Sequence, residues 1–162
     1  MAMNGKDYFE TRLREAEGLL RNDRNSAIVI LKELRDYPSI NTKTRLYVDF
    51  LLGKALYLCS KYEDASKIFE DVLQKAEGIF GKNHSFTLLI IGFLARSESH
   101  QGKHKESAIL YLKESFLRTG RTPMDIKMIS ESYELYCREK EACYKGGTIN
   151  KTKMDSSCIM NI

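Results

Sequence analysis

The sequence predicts an all-α protein, built as a solenoid of stacked antiparallel helical hairpins. Three observations carry that expectation. Small residues recur at near-constant spacing: Ala27, Ala65, Ser107 and Ala142 lie 38, 42 and 35 positions apart, and a repeat of that length marks arrays of supersecondary units. Only two prolines occur in 162 residues, Pro38 and Pro123, and both fall between apolar-periodic segments rather than inside them. No stretch alternates apolar and polar residues as a half-buried strand would.

The helices follow in order. The first is expected near 7–21, where charges are interleaved as in Arg12-Leu13-Arg14-Glu15. The second, near 24–36, carries Ala27 and Leu31 and stops before Pro38. Asn41 or Thr42 can cap the third, near 42–60, and Asn83 or Ser85 the fifth, near 85–101. The fourth, near 62–78, holds Ala65 and Phe69. Gln101-Gly102-Lys103 makes the turn into the sixth, near 104–118, with Ser107 and Tyr111. Thr122-Pro123-Met124-Asp125 is a good start for the seventh, near 123–144. Thr122 can cap free amides, Pro123 suits the first helical position, and Asp125 favours the positive end of the helix dipole.

Within this frame the segment around Gly53 resembles the tetratricopeptide repeat, whose pattern is W-x2-L-G-x2-Y, then A-x3-F, then P. Leu52 and Gly53 fill the L-G pair, and Ala65 and Phe69 fill the A-x3-F. Asp49, Leu56 and Glu77 stand where Trp, Tyr and Pro are usual. Gly53 and Ala65 are small because two helix backbones are expected to cross there. In the second unit Ala95 and Ser107 take those places, with Tyr111 for the Phe. In the third, Ser130 and Ala142 take them, with Ile126, Ile129 and Tyr133 at the W, L and Y positions. The expected fold is therefore a tetratricopeptide-type right-handed solenoid.

The repeat domain is expected to span 1–144. Gly146 falls where the third unit's second helix should carry its Phe, so 145–162 reads as a disordered or divergent tail. A stack ending on half a hairpin exposes an apolar face, because terminal repeats normally carry a polar cap. The chain is accordingly expected to self-associate.

A net charge of +4 is small for this length. Lys and Arg alternate with Glu and Asp along the helices, with no one-sided basic stripe of the kind nucleic-acid binding needs. The first residues lack the apolar core of a signal peptide, and the longest apolar run, around Leu88 to Ala95, is too short for a bilayer. These point to an intracellular protein of the cytoplasm or nucleus, without a membrane partner. Cys59, Cys137, Cys143 and Cys158 form no C-x2-C pair and read as reduced thiols acting as small hydrophobes. Cys158 is fifth from the end, so the prenylation geometry fails. Asn83-His84-Ser85 and Asn150-Lys151-Thr152 fit the glycosylation sequon, which has no meaning without secretion. His100 and His104 are four apart, but Gly102 and Lys103 break the segment between them and no third ligand is evident. They read as two exposed histidines at a turn, not a metal site. No Gly-rich phosphate loop, nucleophile elbow or zinc-protease motif occurs. No catalytic residue, cofactor or small-molecule substrate is expected.

In tetratricopeptide stacks the first helix of each hairpin lines the concave face. By that register Tyr47, Phe50, Leu51, Lys54 and Tyr57 point into the groove from the first clear unit. Phe93, Arg96 and His100 do so from the second, and Met128 and Glu131 from the third. Lys54 and Arg96 are equivalent positions, so two cations are expected along one wall. Such a groove would suit an extended or helical peptide with apolar anchors and an acidic group.

Two narrower resemblances follow. Phe80-Gly81-Lys82-Asn83-His84-Ser85, running on to Leu94-Ala95 and Gln101-Gly102-Lys103, is similar to the long repeat of kinesin light chains. The order of elements from Ser26 to Tyr133 resembles the N-terminal region of the anaphase-promoting complex subunit 7 family, with Arg121-Thr122-Pro123 and Ile126-Lys127-Met128 as its most specific part. That second resemblance implies a non-catalytic scaffold subunit of a cell-cycle ubiquitin ligase, acting in mitosis. Such subunits pair with themselves and stack on related subunits. Phe50, Lys54, Tyr57, Phe93 and Arg96 are the expected self-association residues. The first resemblance implies a cytoplasmic adaptor that captures a peptide or cargo protein.

Overall fold

Every described residue outside a turn lies in one of seven helices. The structure is a computed structural model that describes residues 5–38, 40–118 and 123–145. The helices are α1 (Gly5–Asn22), α2 (Arg24–Arg35), α3 (Thr42–Leu58), α4 (Tyr62–Phe80), α5 (Ser85–His100), α6 (His104–Leu117) and α7 (Pro123–Lys145). Each packs chiefly on its neighbours in sequence, so α1/α2, α3/α4 and α5/α6 form hairpins and α7 closes on α6. Lighter contacts join α1 to α3 and α3 to α5. This is the all-α stack of antiparallel hairpins that the spacing predicts.

The small-residue meter has a visible cause in the first two full hairpins. A Cβ added at Gly53 would lie 2.7 Å from Cε1 of Phe69 and 3.2 Å from Cγ2 of Ile68. Ala27, Ala65, Phe69 and Ala95 are wholly buried. In the next hairpin Ser107 is wholly buried too, and its Oγ donates to the Ala95 carbonyl at 2.8 Å. The serine is thus satisfied by the very backbone it lets approach.

The turns repeat as closely as the crossings. Lys61 N donates to Leu56 O at 3.0 Å, and Lys103 N donates to Glu98 O at 3.0 Å, 42 positions on. Ser60 and Gly102 both hold left-handed backbone, with φ of 59 and 76. Glycine takes that conformation freely, whereas serine is strained in it. Asn41 caps α3 through a 2.9 Å bond from Thr44 N, as expected. The cap of α5 differs from expectation: His84 supplies it, its Nδ1 accepting from Phe86 N at 3.2 Å, rather than Asn83 or Ser85. Stacking of His84 on Phe80 (centroids 4.9 Å apart) fixes the imidazole for that bond. The expected cap at Thr122 lies outside the described residues. Glu77, in the place of the usual Pro, pairs with Lys113 at 2.9 Å, and α4 runs on to Phe80 rather than stopping at 78.

Asp49, in the place of the usual Trp, is buried. Nε of Arg35 comes within 2.8 Å of its Oδ1, close enough for an ion pair but not aligned as a hydrogen bond. Burial holds the Asp49 carboxyl above the usual carboxylate range, with Arg35 and Lys75 pulling the other way.

The third unit departs from the expected register. Ser130 and Ala142 lie on one continuous helix, α7. Twelve residues of helix separate them by about 18 Å, so they do not form a crossing. Ser130 is exposed and Ala142 only partly buried. The small buried residue of α7 is Ser132, and one turn pair further on lies the buried Glu139. The expected break at Gly146 and the tail beyond it lie outside the described residues. The cysteines also differ from expectation in part: Cys59 and Cys143 are partly buried, but Cys137 is exposed. Cys158 is not among the described residues.

Candidate protein-interaction face

The helices that begin each hairpin, α1, α3 and α5, present one face in register. On α3 it is the run Tyr47, Leu51, Lys54 and Leu58. On α5, 42 residues on, it is Leu89, Phe93, Arg96 and His100. Spacings of i, i+4, i+7 and i+11 put each set on one side of its helix. Glu17, Leu20 and Arg21 of α1 close the row, and with the α3 set they line a cleft of about 250 Å³.

The aromatic groups of this face form a continuous ladder. Phe50 meets Phe93 edge-on at 5.6 Å, and Phe93 meets Tyr57 edge-on at 5.7 Å. Tyr57 reaches His100, its hydroxyl 3.2 Å from Nε2. His100 in turn stacks on Tyr62, with centroids 4.4 Å apart and planes 8° from parallel. At the other end Tyr47 contacts both Phe50 and Phe86. The ladder fixes rings that would otherwise be free to rotate, which prepares a surface at low entropic cost to a partner.

Two cations share one ring. Nζ of Lys54 lies 5.9 Å, and Cζ of Arg96 5.6 Å, from the centroid of Phe93. The expected pairing of these equivalent positions is therefore a feature of the structure, with Phe93 between them as a cation–π acceptor. Tyr47 donates its hydroxyl to Oε1 of Glu17 at 2.8 Å. Burial first, and then that carboxylate, push the Tyr47 phenol up to about 12. Burial also raises the Tyr57 phenol, opposed by the positive charge of Arg96.

Of the expected groove residues, Tyr47, Lys54, Tyr57, Phe93, Arg96 and His100 are brought together with some surface exposed. Leu51, only 3% exposed, forms part of the cleft floor, and Phe50, equally buried, is placed otherwise. Phe50 is a core residue that supports the face from behind. Phe50 packs against Phe69, Phe86 and Phe93 at once, so it has no free side to offer a partner. On α7, Met128 is partly buried and Glu131 pairs with Lys127 at 3.7 Å, so the third unit adds no cation to the row.

The α1 contribution and Tyr62 were outside the repeat register from which the groove was read. Tyr62 is a second-helix residue and reaches the face only because the tight turn at Ser60 folds it beside His100.

His104 also differs from expectation. It is partly buried rather than exposed, its Nδ1 lying 2.6 Å from Oε2 of Glu139. Oγ of Ser99 donates to the other oxygen at 2.7 Å. This cluster ties α5, α6 and α7 together, while His100 stacks on Tyr62. Among the described residues no group of three or more His, Cys, Asp or Glu side chains is placed to hold a metal ion. No helix among them is long and apolar enough to cross a membrane.

No protein-family model matches the sequence, and no curated protein does. The fold does have solved relatives in shape. A crystal structure from Podosopora anserina, described as a putative kinesin light chain with nearly identical TPR-like repeats, superposes with a TM-score of 0.67 at 15% identity. It covers 92% of this chain and 80% of its own. A variant form of it gives 0.66 at 16%, over 88% and 73%. At such identity the likeness establishes the tetratricopeptide-like fold.

Proposed function

We propose that this chain is a non-catalytic protein-interaction scaffold that holds its partners on the face built by α1, α3 and α5. The observation that carries this reading is the ladder from Tyr47 to Tyr62, with Lys54 and Arg96 both beside its Phe93 ring and, among the described residues, no carboxylate paired to either. Exposed aromatics and cations held rigid on one side of a helical stack suit a protein surface better than a small molecule, which would need a deeper pocket.

The narrower reading is a structural subunit of the anaphase-promoting complex, in the cytoplasm or nucleus, resting on Arg121-Thr122-Pro123 and Ile126-Lys127-Met128. The alternative is a cytoplasmic adaptor for a peptide or cargo protein. That alternative is favoured by the likeness in shape to the kinesin-light-chain-type repeats. In both readings the partners are other proteins, including related repeat subunits or a second copy, and neither nucleic acid nor membrane is engaged.

Affinity purification of the tagged chain with mass spectrometry separates the two. Recovery of ubiquitin-ligase subunits supports the first; recovery of motor or vesicle proteins supports the second and removes the first. Light scattering tests self-association. Since Phe50 is core, the variant that interrogates the face is Lys54→Glu with Arg96→Glu. An oligomer unchanged in size by that pair does not use this face.

A further inference from the structure

The chain has three histidines, and their hydrogen-bond partners sort them by what a proton would do. His104 meets the Glu139 carboxylate, which only accepts, and His100 meets the Tyr57 hydroxyl, which donates or accepts. A doubly protonated ring suits both. His84 is the exception. Its Nδ1 lies 3.2 Å from the backbone nitrogen of Phe86, whose N–H can only donate. That bond exists only while Nδ1 is bare and the ring proton sits on Nε2. A second proton turns Nδ1 into a donor facing a donor.

The caps of the earlier helices are built differently. Asp23 caps α2 and Asn41 caps α3, each accepting through a side-chain oxygen, while α4 and α6 have no side-chain cap. The position 42 residues beyond Asn41 is Asn83, so a cap that does not titrate stands one residue from His84 and is not used.

Nothing around the ring compensates for the lost bond. α5 has no acidic residue in its first turn, and a cation there meets the positive end of the helix dipole. From α3, Nζ of Lys43 lies 5.5 Å from the centroid of Phe80, the same ring on which His84 stacks. Lys82 precedes His84 in the connection, and Glu77 of α4 is already paired with Lys113 of α6 at 2.9 Å. The Phe80 ring attracts cations, but it already has Lys43, and that attraction still leaves the Phe86 amide without its acceptor. His84 is exposed, so protons reach it from solvent.

We propose that His84 is a pH-sensitive joint between α4 and α5: a second proton on the imidazole uncaps α5 and loosens its first turn, and with it the Tyr47 end of the aromatic face. Histidine changes charge between about pH 5 and 8, so the joint works in mild acid. Phe86 carries the effect into the face, its ring centroid lying 6.3 Å from that of Tyr47 and 5.3 Å from that of Phe50. The loosening stops within a turn, because the Thr87 hydroxyl holds the Gly81 carbonyl at 2.8 Å whatever the state of His84.

The test compares the full chain with His84→Asn, which keeps a cap acceptor and removes the titration. Urea denaturation of both is followed at pH 7.5 and pH 5.5. His100 and His104 titrate in both chains, so the ratio of the two folding constants isolates His84. Relative to the variant, the parent's constant is expected to fall at least about threefold on acidification. A ratio unchanged within about 1.5-fold, or one that rises, overturns the proposal.

Nuclear magnetic resonance of the parent alone gives a second reading that does not depend on the variant folding. At pH 7.5 the neutral His84 ring should carry its proton on Nε2. Amide protection at Phe86 and Leu88, corrected for intrinsic exchange, should fall at least about threefold at pH 5.5. Protection at Thr44, under the Asn41 cap, should stay within about 1.5-fold. A neutral ring protonated on Nδ1, unchanged protection at Phe86 and Leu88, or equal loss at both helix starts overturns the proposal.

Discussion

Gly53 owes its identity to Phe69, whose ring would meet a Cβ at 2.7 Å and is itself wholly buried, with no room to retreat. Alanine gains about 1 kcal/mol in helix propensity over glycine, but overpacking a core costs about 1–3 kcal/mol. Gly53→Ala should therefore lose about 1 kcal/mol net, read by urea denaturation; a gain would show that α3 and α4 do not cross there. Ser60 is the opposite case. Its φ of 59 costs a non-glycine residue about 1–2 kcal/mol, and Gly102 fills the equivalent turn. Ser60→Gly should raise stability by up to about 1 kcal/mol, seen as a higher thermal midpoint.

Asp49 gives a pH-dependent prediction. Its folded carboxyl is raised above the unfolded value of 3.8, so the folded state holds the proton more tightly. Stability from this residue is then fullest below pH 3.8 and falls as pH rises through the folded value. Asp49→Asn removes that penalty, and Arg35, 45% exposed, can be solvated once unpaired. The variant should match or exceed the parent at pH 7, the difference closing toward pH 3.8. A variant clearly weaker at neutral pH would mean that the Arg35 pair outweighs the burial cost. Gly53 was readable from its place in the L-G pair. The Asp49–Arg35 pair was not, because fourteen residues and an inter-hairpin connection separate its members.

At the scale of the element, helix existence and order were legible because spacing and punctuation agreed. The turns at Ser60-Lys61 and Gly102-Lys103 stop α3 and α5 by the same backbone bonds. The seventh helix runs as expected, and only the third unit's register misled: Ser130 and Ala142 both fall inside that helix, because a twelve-residue separation of small residues does not by itself mark a crossing. Between Ser130 and Ala142 there is no Gly, Pro or Asn to make a turn, and that absence is the signal for one helix. What fastens α7 was not legible at all, since it joins three elements: Glu139, nearly buried, accepts from Ser99 and meets His104. Removing one partner of a buried carboxylate costs about 1–3 kcal/mol. His104→Ala should lose that much, and amide exchange should quicken in α7 before it does in α3 or α4. Uniform quickening throughout would contradict a local fastening.

Across the whole molecule the two ends of the stack differ. α1 turns Lys6, Asp7, Glu10 and Arg14 outward, whereas α7 exposes Ile126, Tyr133 and Cys137. The face between them carries the proposed function, and only half of it is legible in the sequence. Lys54 and Arg96 follow from the 42-residue period, but Arg21 and Glu17 belong to a helix with no motif to register it. The burial of Phe50 depends on Phe69 and Phe86, which come from two other helices.

The most direct test is hydrogen–deuterium exchange of the chain with and without a partner recovered by affinity purification. Protection concentrated on α3 and α5 around Tyr47–Tyr57 and Phe93–His100, with α1 near Arg21, is the expected result. Protection confined to α2, α4 and α6, leaving that face unchanged, would contradict it.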